Sequence, residues 1–98
     1  MYIQLVVRFE WDEAKRQINL AKHGLDFADS ERIFDYDVWE IEDTREEYGE
    51  ERLITFGLLS GRVVVLVHTP REGGLRVISL RRANRDEEAL FFERVFEE

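Results

Sequence analysis

An α+β fold, with helices packed on one side of a mostly antiparallel sheet of four to five strands, is what three features of this sequence predict. Val63 to Val67 is an unbroken apolar run, the pattern of a strand buried on both faces. Strand-like stretches fill the region from Arg52 to Leu80, punctuated by Ser60-Gly61 and by Pro70 to Gly74. Helix-capping signals occur only before and after that region, at Asp12, Gly24 and Asn84. The chain of 98 residues, 44% hydrophobic, is expected to form one domain spanning 1–98.

Taken in order, Ile3, Leu5, Val7 and Phe9 alternate with Gln4, Val6 and Arg8, predicting a first strand. Asp12 can cap a helix, its carboxylate accepting from a backbone N–H that would otherwise be unpaired. Ala14, Ile18, Ala21 and Leu25 recur at helical spacing, and Gly24 supplies a left-handed stop. Asp26 begins a shorter helix through about Phe34, burying Phe27 and one or both of Ile33 and Phe34. A strand within Tyr36 to Asp43 follows, then a charged loop from Thr44 to Glu50. Arg52 to Leu59 is the next strand, and Ser60-Gly61 is a two-residue hairpin turn leading to Val63–Val67. Pro70 to Gly74 reads as a turn, and Leu75 to Leu80 as the last strand. Asn84 and Glu87 have the spacing of a capping box before a helix that carries Leu90, Phe91, Phe92, Val95 and Phe96.

Charge is unevenly spread. The chain carries a net −8, which argues against nucleic acid as a partner. Yet Arg62 to Arg85 holds six arginines against Glu72 alone, while seven acids lie in Glu40–Glu51 and six in Asp86–Glu98. The hairpin therefore offers a cationic surface to an anionic ligand, and the acidic stretches are solvated faces or welcome a basic partner. There are no cysteines and only two histidines, His23 and His68, so no thiolate or structural zinc site is expected, and no cofactor. The opening MYIQLVV is too short for a signal-peptide core and no run approaches membrane-spanning length, so a soluble, cytoplasmic protein is expected.

Strand parity suggests a chemical grouping. If Thr69 faces Leu75 across a five-residue turn, His68 faces Arg76; if Leu59 faces Arg62, Leu53 faces His68 and Glu51 shares its parity. Glu51, His68 and Arg76 would then lie on one face. A Glu or His can take a proton from a ribose 2′-hydroxyl while the other returns one to the leaving oxygen, and an Arg stabilises the phosphate. The same three residues could equally form a surface salt bridge. Lys22-His23 ends the first helix, where cations meet the helix dipole or bind phosphate. Arg81 and Arg82 point to opposite faces, so one serves the site and the other pairs with acid.

Phe9-Glu10-Trp11-Asp12, Ala14-Lys15, Asn19 and Lys22-His23-Gly24 with Phe27 resemble the opening of BrnT-type toxins of bacterial type II toxin–antitoxin systems. Glu51-Arg52, Gly57, Thr69, Arg71, Arg76-Val77-Ile78-Ser79 and Arg81-Arg82-Ala83 continue the resemblance, which spans about Phe9 to Glu93. It implies a RelE-like fold and a metal-independent ribonuclease that slows translation. It also implies a BrnA-like ribbon-helix-helix antitoxin through which the complex binds operator DNA. On the matching motifs it implies roles for Lys22, His23, Glu51, Arg52, Arg76, Arg81 and Arg82. Glu51, His68, Arg76, Lys22 and His23 are thus the catalytic candidates, with Arg52, Arg71, Arg81 and Arg82 binding RNA phosphate. Phe91 and Phe92 stand where members often carry a Tyr, and the first eight residues extend the usual start. A catalytically weak homologue that acts as its antitoxin's co-repressor is the alternative.

Overall fold

The computed structural model describes residues 7–96. The element order is β1 (Arg8–Glu10), α1 (Glu13–His23), a 3₁₀ helix (Phe27–Asp35), β2 (Trp39–Glu42), β3 (Leu53–Leu59), β4 (Arg62–Arg71), β5 (Gly74–Arg82) and α2 (Arg85–Phe96). Ile3 and Leu5 of the expected first strand lie outside the described residues. No described helix is long and apolar enough to cross a membrane.

The predicted caps form. Asp12 accepts from the Lys15 amide at 3.1 Å, and Gly24, at φ 70°, ends α1 by donating to the Leu20 carbonyl at 2.8 Å. The face that α1 buries is not the apolar one expected, however. Ile18 is 65% exposed, and Asn19 is buried instead. Its amide donates to the Leu80 carbonyl at 2.8 Å and accepts from the Leu80 N–H at 3.2 Å. Those backbone groups belong to β5 beyond the point where β1 ends, so the Asn19 side chain substitutes for a missing edge strand.

The second helix is 3₁₀, not α. Phe27, Ser30 and Ile33 are all buried, a repeat of three that stacks one side of a 3₁₀ turn against the sheet. Ile33 packs so closely on β3 that a Cβ at Gly57 would collide with its Cγ2. Phe34 is on the rim, 37% exposed.

The sheet order is β1-β5-β4-β3-β2. It is mixed: β2, β3, β4 and β5 form an antiparallel meander, and β1 lies parallel to β5. A side chain at Gly74 would overlap the Arg8 carbonyl, so this pairing needs glycine there. The Ser60-Gly61 turn has positive φ at both residues, 52° and 78°, as the favoured two-residue hairpin requires. The other hairpin departs from expectation. β4 continues through Pro70 to Arg71, which faces Gly74 across the two-residue turn Glu72-Gly73. Proline is tolerated there because β3 has already stopped opposite His68, leaving no ladder bond to lose on that side.

The helices occupy both faces of the sheet rather than one. On one face α1 and the 3₁₀ helix cover Val64, Leu66, Val77 and Leu80 with Phe27 and Ile33. On the other, α2 seats Phe91 against Phe56, Val63 and Val65. β4 lies between the two layers, and Val63 to Thr69 is buried without interruption. The expected capping box starts α2: Glu87 N–H donates to Asn84 Oδ1 at 2.8 Å and Asn84 N–H to Glu87 Oε1 at 2.9 Å.

Candidate functional site

The β3–β4 register is as predicted, with Leu53 opposite His68. The β4–β5 register is not. Val67 pairs with Ser79 and His68 with Val77, which leaves Ile78 as the extra residue of a bulge, and Thr69 rather than His68 faces Arg76. Successive side chains alternate between faces, so His68 and Arg76 stand on opposite sides of the sheet. The grouping of Glu51, His68 and Arg76 is therefore not formed.

His68 is 3% exposed, under the 3₁₀ helix, with the Phe34 ring edge-on at 6.2 Å. Thr55 Oγ1 donates to Glu40 Oε1 at 2.7 Å, and that uses its only proton. The 2.7 Å contact between Thr55 Oγ1 and His68 Nε2 must then be a donation from the ring, which also lies 3.3 Å from Glu40 Oε1. Nδ1 is left as a buried acceptor without a partner among the described residues. Burial pushes the His68 pKa below its ordinary value, opposed by the Glu40 carboxylate. The result is a neutral imidazole bracing β2, β3 and β4.

Arg71 and Arg76 meet where β4 and β5 turn, and the Glu51-Arg52 end of the 43–52 loop docks there through its backbone. Thr69 Oγ1 donates to the Glu51 carbonyl at 2.7 Å, docking the end of the 43–52 loop on β4. Arg71 reaches Thr69 Oγ1 at 3.3 Å and the Pro70 carbonyl at 3.0 Å. Arg76, paired with Thr69, projects beside it. Arg52 spreads its guanidinium over the Tyr48 ring, 4.0 Å from the centroid. Two carboxylates absent from the sequence-based candidates complete this rim. Glu10 Oε1 lies 3.4 Å from Arg71 Nε and 3.8 Å from Arg76 Nη1, and Glu50 Oε2 lies 3.8 Å from Arg71 Nη1. Glu10 arrives because β1 pairs with β5, placing it opposite Arg76. Its signal was the Phe9-Glu10 alternation; that of Glu50 was only its nearness to Glu51. Glu51 is exposed and makes no ion pair among the described residues.

The remaining candidates are elsewhere. Arg81 is locked to Glu87 by two bonds of 2.8 Å, which pull the Glu87 carboxyl below its usual range. Arg82 is the exposed member of the pair and, with Arg32, Arg62 and Gly24, lines a cleft of about 390 Å³ on the α1 side. Lys22 and His23 end α1 next to Gly24. Neither joins Arg71 and Arg76.

The rim thus combines two guanidiniums that touch carboxylates only at 3.4 to 3.8 Å, an arrangement suited to gripping a phosphodiester. A comparison with curated proteins finds no match. Among solved structures, the chain resembles the ribonuclease toxin BrnT of Brucella abortus, known from a 1.1 Å crystal structure. The two share 36% identity over 82% of this chain and 100% of that one, with a TM-score of 0.62. The model of the family described as "Ribonuclease toxin, BrnT, of type II toxin-antitoxin system" matches residues 11–87. With most of its length covered by that match, the chain belongs to the BrnT family of ribonuclease toxins.

Proposed function

We propose that this toxin is a metal-independent endoribonuclease with a RelE-like fold, and that it cuts RNA at the Glu10–Arg71–Arg76 rim. The observation that carries the reading is the looseness of the cations. Arg71 and Arg76 share one Glu10 oxygen at 3.4 and 3.8 Å, so an incoming phosphate can take its place without breaking a good bidentate pair. Glu51, exposed, with its backbone carbonyl tied to Thr69 and no ion pair among the described residues, removes the proton of the 2′-hydroxyl. The 2′-oxygen attacks the adjacent phosphorus while Arg71 and Arg76 stabilise the charge on its equatorial oxygens. The P–O5′ bond breaks, water at the open rim protonates the leaving oxygen, and the products carry a 2′,3′-cyclic phosphate and a 5′-hydroxyl. Arg52 orients its neighbours.

In this reading His68 is a brace, being buried and held by Thr55 and Glu40, and Arg81 fastens α2. Lys22, His23 and Arg82 lie outside the cutting site. The family implies an antitoxin partner as well as an RNA substrate; we assign the partner to the BrnA-like ribbon-helix-helix class, acting in the cytoplasm, with operator DNA bound through the antitoxin. A second reading, a weak enzyme serving chiefly as co-repressor, is favoured by α2. There Phe92 and Phe96 are exposed between acids, on a helix without tyrosine.

The test is incubation of purified protein with end-labelled RNA in EDTA, beside Arg76→Ala. Cleavage that survives chelation and is lost in the variant supports the proposal. Products ending in a 3′-hydroxyl and a 5′-phosphate would sink it, and silence from both folded proteins would favour the co-repressor.

A further inference from the structure

A hairpin joining β2 to β3 needs only about two to five residues, yet residues 43–52 form a loop of ten. This loop has little apolar content to hold it and concentrates Asp43, Glu46, Glu47, Glu50 and Glu51 in mutual repulsion. What organises it is a buried charge. The Asp43 side chain is fully enclosed and accepts four hydrogen bonds. Arg45 supplies Nε at 2.8 Å, Nη2 at 2.7 Å and its backbone N–H at 3.2 Å, and the Tyr48 hydroxyl donates at 3.3 Å. The Asp43 N–H closes the neck of the loop on the Arg52 carbonyl at 2.8 Å.

From there the contacts run outward to the rim. The Tyr48 ring, oriented at its hydroxyl by Asp43, lies under the Arg52 guanidinium. Arg52 Nε is buried with no hydrogen-bond partner among the described residues, so the ring is what sets the guanidinium's place. The next residue back, Glu51, is stapled to Thr69, and Glu50 faces Arg71. We propose that Asp43 is a positioning residue, which acts through Tyr48 and the closed loop to set Arg52, Glu51 and Glu50 against Arg71 and Arg76. Its catalytic consequence rests on the ribonuclease reading of that rim.

A buried carboxylate with its whole hydrogen-bonding capacity engaged is costly to form and rigid once formed. Rigidity is what a base on a polar loop otherwise lacks, since small displacements of a reacting group are expensive in rate. Asp43→Asn keeps the size of the side chain and removes the charge that grips Arg45. Tyr48→Leu leaves Asp43 intact and removes the ring beneath Arg52.

Amide hydrogen exchange on the full chain gives the first readout. In both variants the amides of residues 45–52 should exchange at least about tenfold faster, with β3 and β4 unchanged. Unchanged loop exchange in Asp43→Asn overturns the proposal whatever the RNA assay shows. The second readout is steady-state cleavage of an RNA oligonucleotide. Turnover should fall about ten- to a hundredfold with KM within about threefold, the split expected when a reacting group is misplaced but phosphate binding survives. Faster exchange with unaltered turnover, in a protein whose Arg76→Ala variant is inactive, overturns the positioning role and leaves the site standing. Equal cleavage by wild type and Arg76→Ala overturns the site, and the catalytic role of Asp43 with it.

Discussion

Five arginines of this protein fall into two groups. Arg16 with Asp26, Arg45 with Asp43 and Arg81 with Glu87 are each fork-to-fork pairs at 2.7 to 2.9 Å. Each fastens an end of something: the 3₁₀ helix, the 43–52 loop, the start of α2. Arg71 and Arg76 instead touch carboxylates only through single contacts of 3.4 to 3.8 Å, with Arg71 Nη1 also bonded to the Thr69 hydroxyl and the Pro70 carbonyl. The same side chain thus performs two tasks, and geometry separates them. A guanidinium whose fork is filled is part of the scaffold, and one whose fork is half empty is available to a ligand.

The largest effect that could break this distinction is on cleavage. Arg76→Ala should lower RNA cutting by about a hundredfold or more, as loss of a charge-stabilising donor does, while Arg81→Ala leaves activity per folded molecule unchanged. If both variants lose activity equally, the division fails. Next comes stability. Glu87→Ala removes the Arg81 pair and half of the capping box and should cost about 1–2 kcal/mol in urea unfolding, whereas Arg76→Ala should leave the midpoint nearly unchanged.

Acid sharpens the contrast. The Arg45 guanidinium holds the Asp43 carboxyl at about 2, below its ordinary 3.8. Between those values the unfolded chain binds more protons, so this contribution is complete above about pH 4 and is lost as pH falls through about 2. Urea titrations from pH 5 down to 2 should show a steeper decline in wild type than in Asp43→Asn. The smallest effect is expected from Glu10→Gln. By removing the anion that competes with phosphate, it should tighten binding of a non-cleavable 2′-deoxy analogue by about threefold, in keeping with a weak surface pair. Weaker binding would mean that Glu10 orders the arginines instead of competing for them.

Much of the scaffold was legible because it is local. Asp12, Gly24, the Ser60-Gly61 turn and the Asn84–Glu87 box each act within a few residues, and each forms as read. What was not legible depends on where a neighbouring strand stops or slips. Pro70 reads as a breaker until β3 is known to end opposite His68. The bulge at Ile78 reverses the parity of everything between it and the turn, and so puts Arg76 on the face away from His68. Asn19, a polar residue on a helix, is buried because Leu80 lacks a strand partner on the β1 side of β5, which no helical periodicity could announce. Of the proposed rim, Arg71, Arg76, Glu51 and Arg52 were named from the sequence. Glu10 required the parallel pairing of β1 with β5.

That pairing also bears on the order in which the toxin is made. β1 is the first described strand to leave the ribosome and β5 the last, and Glu10 meets Arg76 only when they join. A nascent chain can close the β3–β4 hairpin early, but its proposed cutting rim stays incomplete until nearly the whole sheet has been synthesised. For an enzyme whose substrate is RNA, assembled on a machine made of RNA, the proposed site is completed only after β5 has been made.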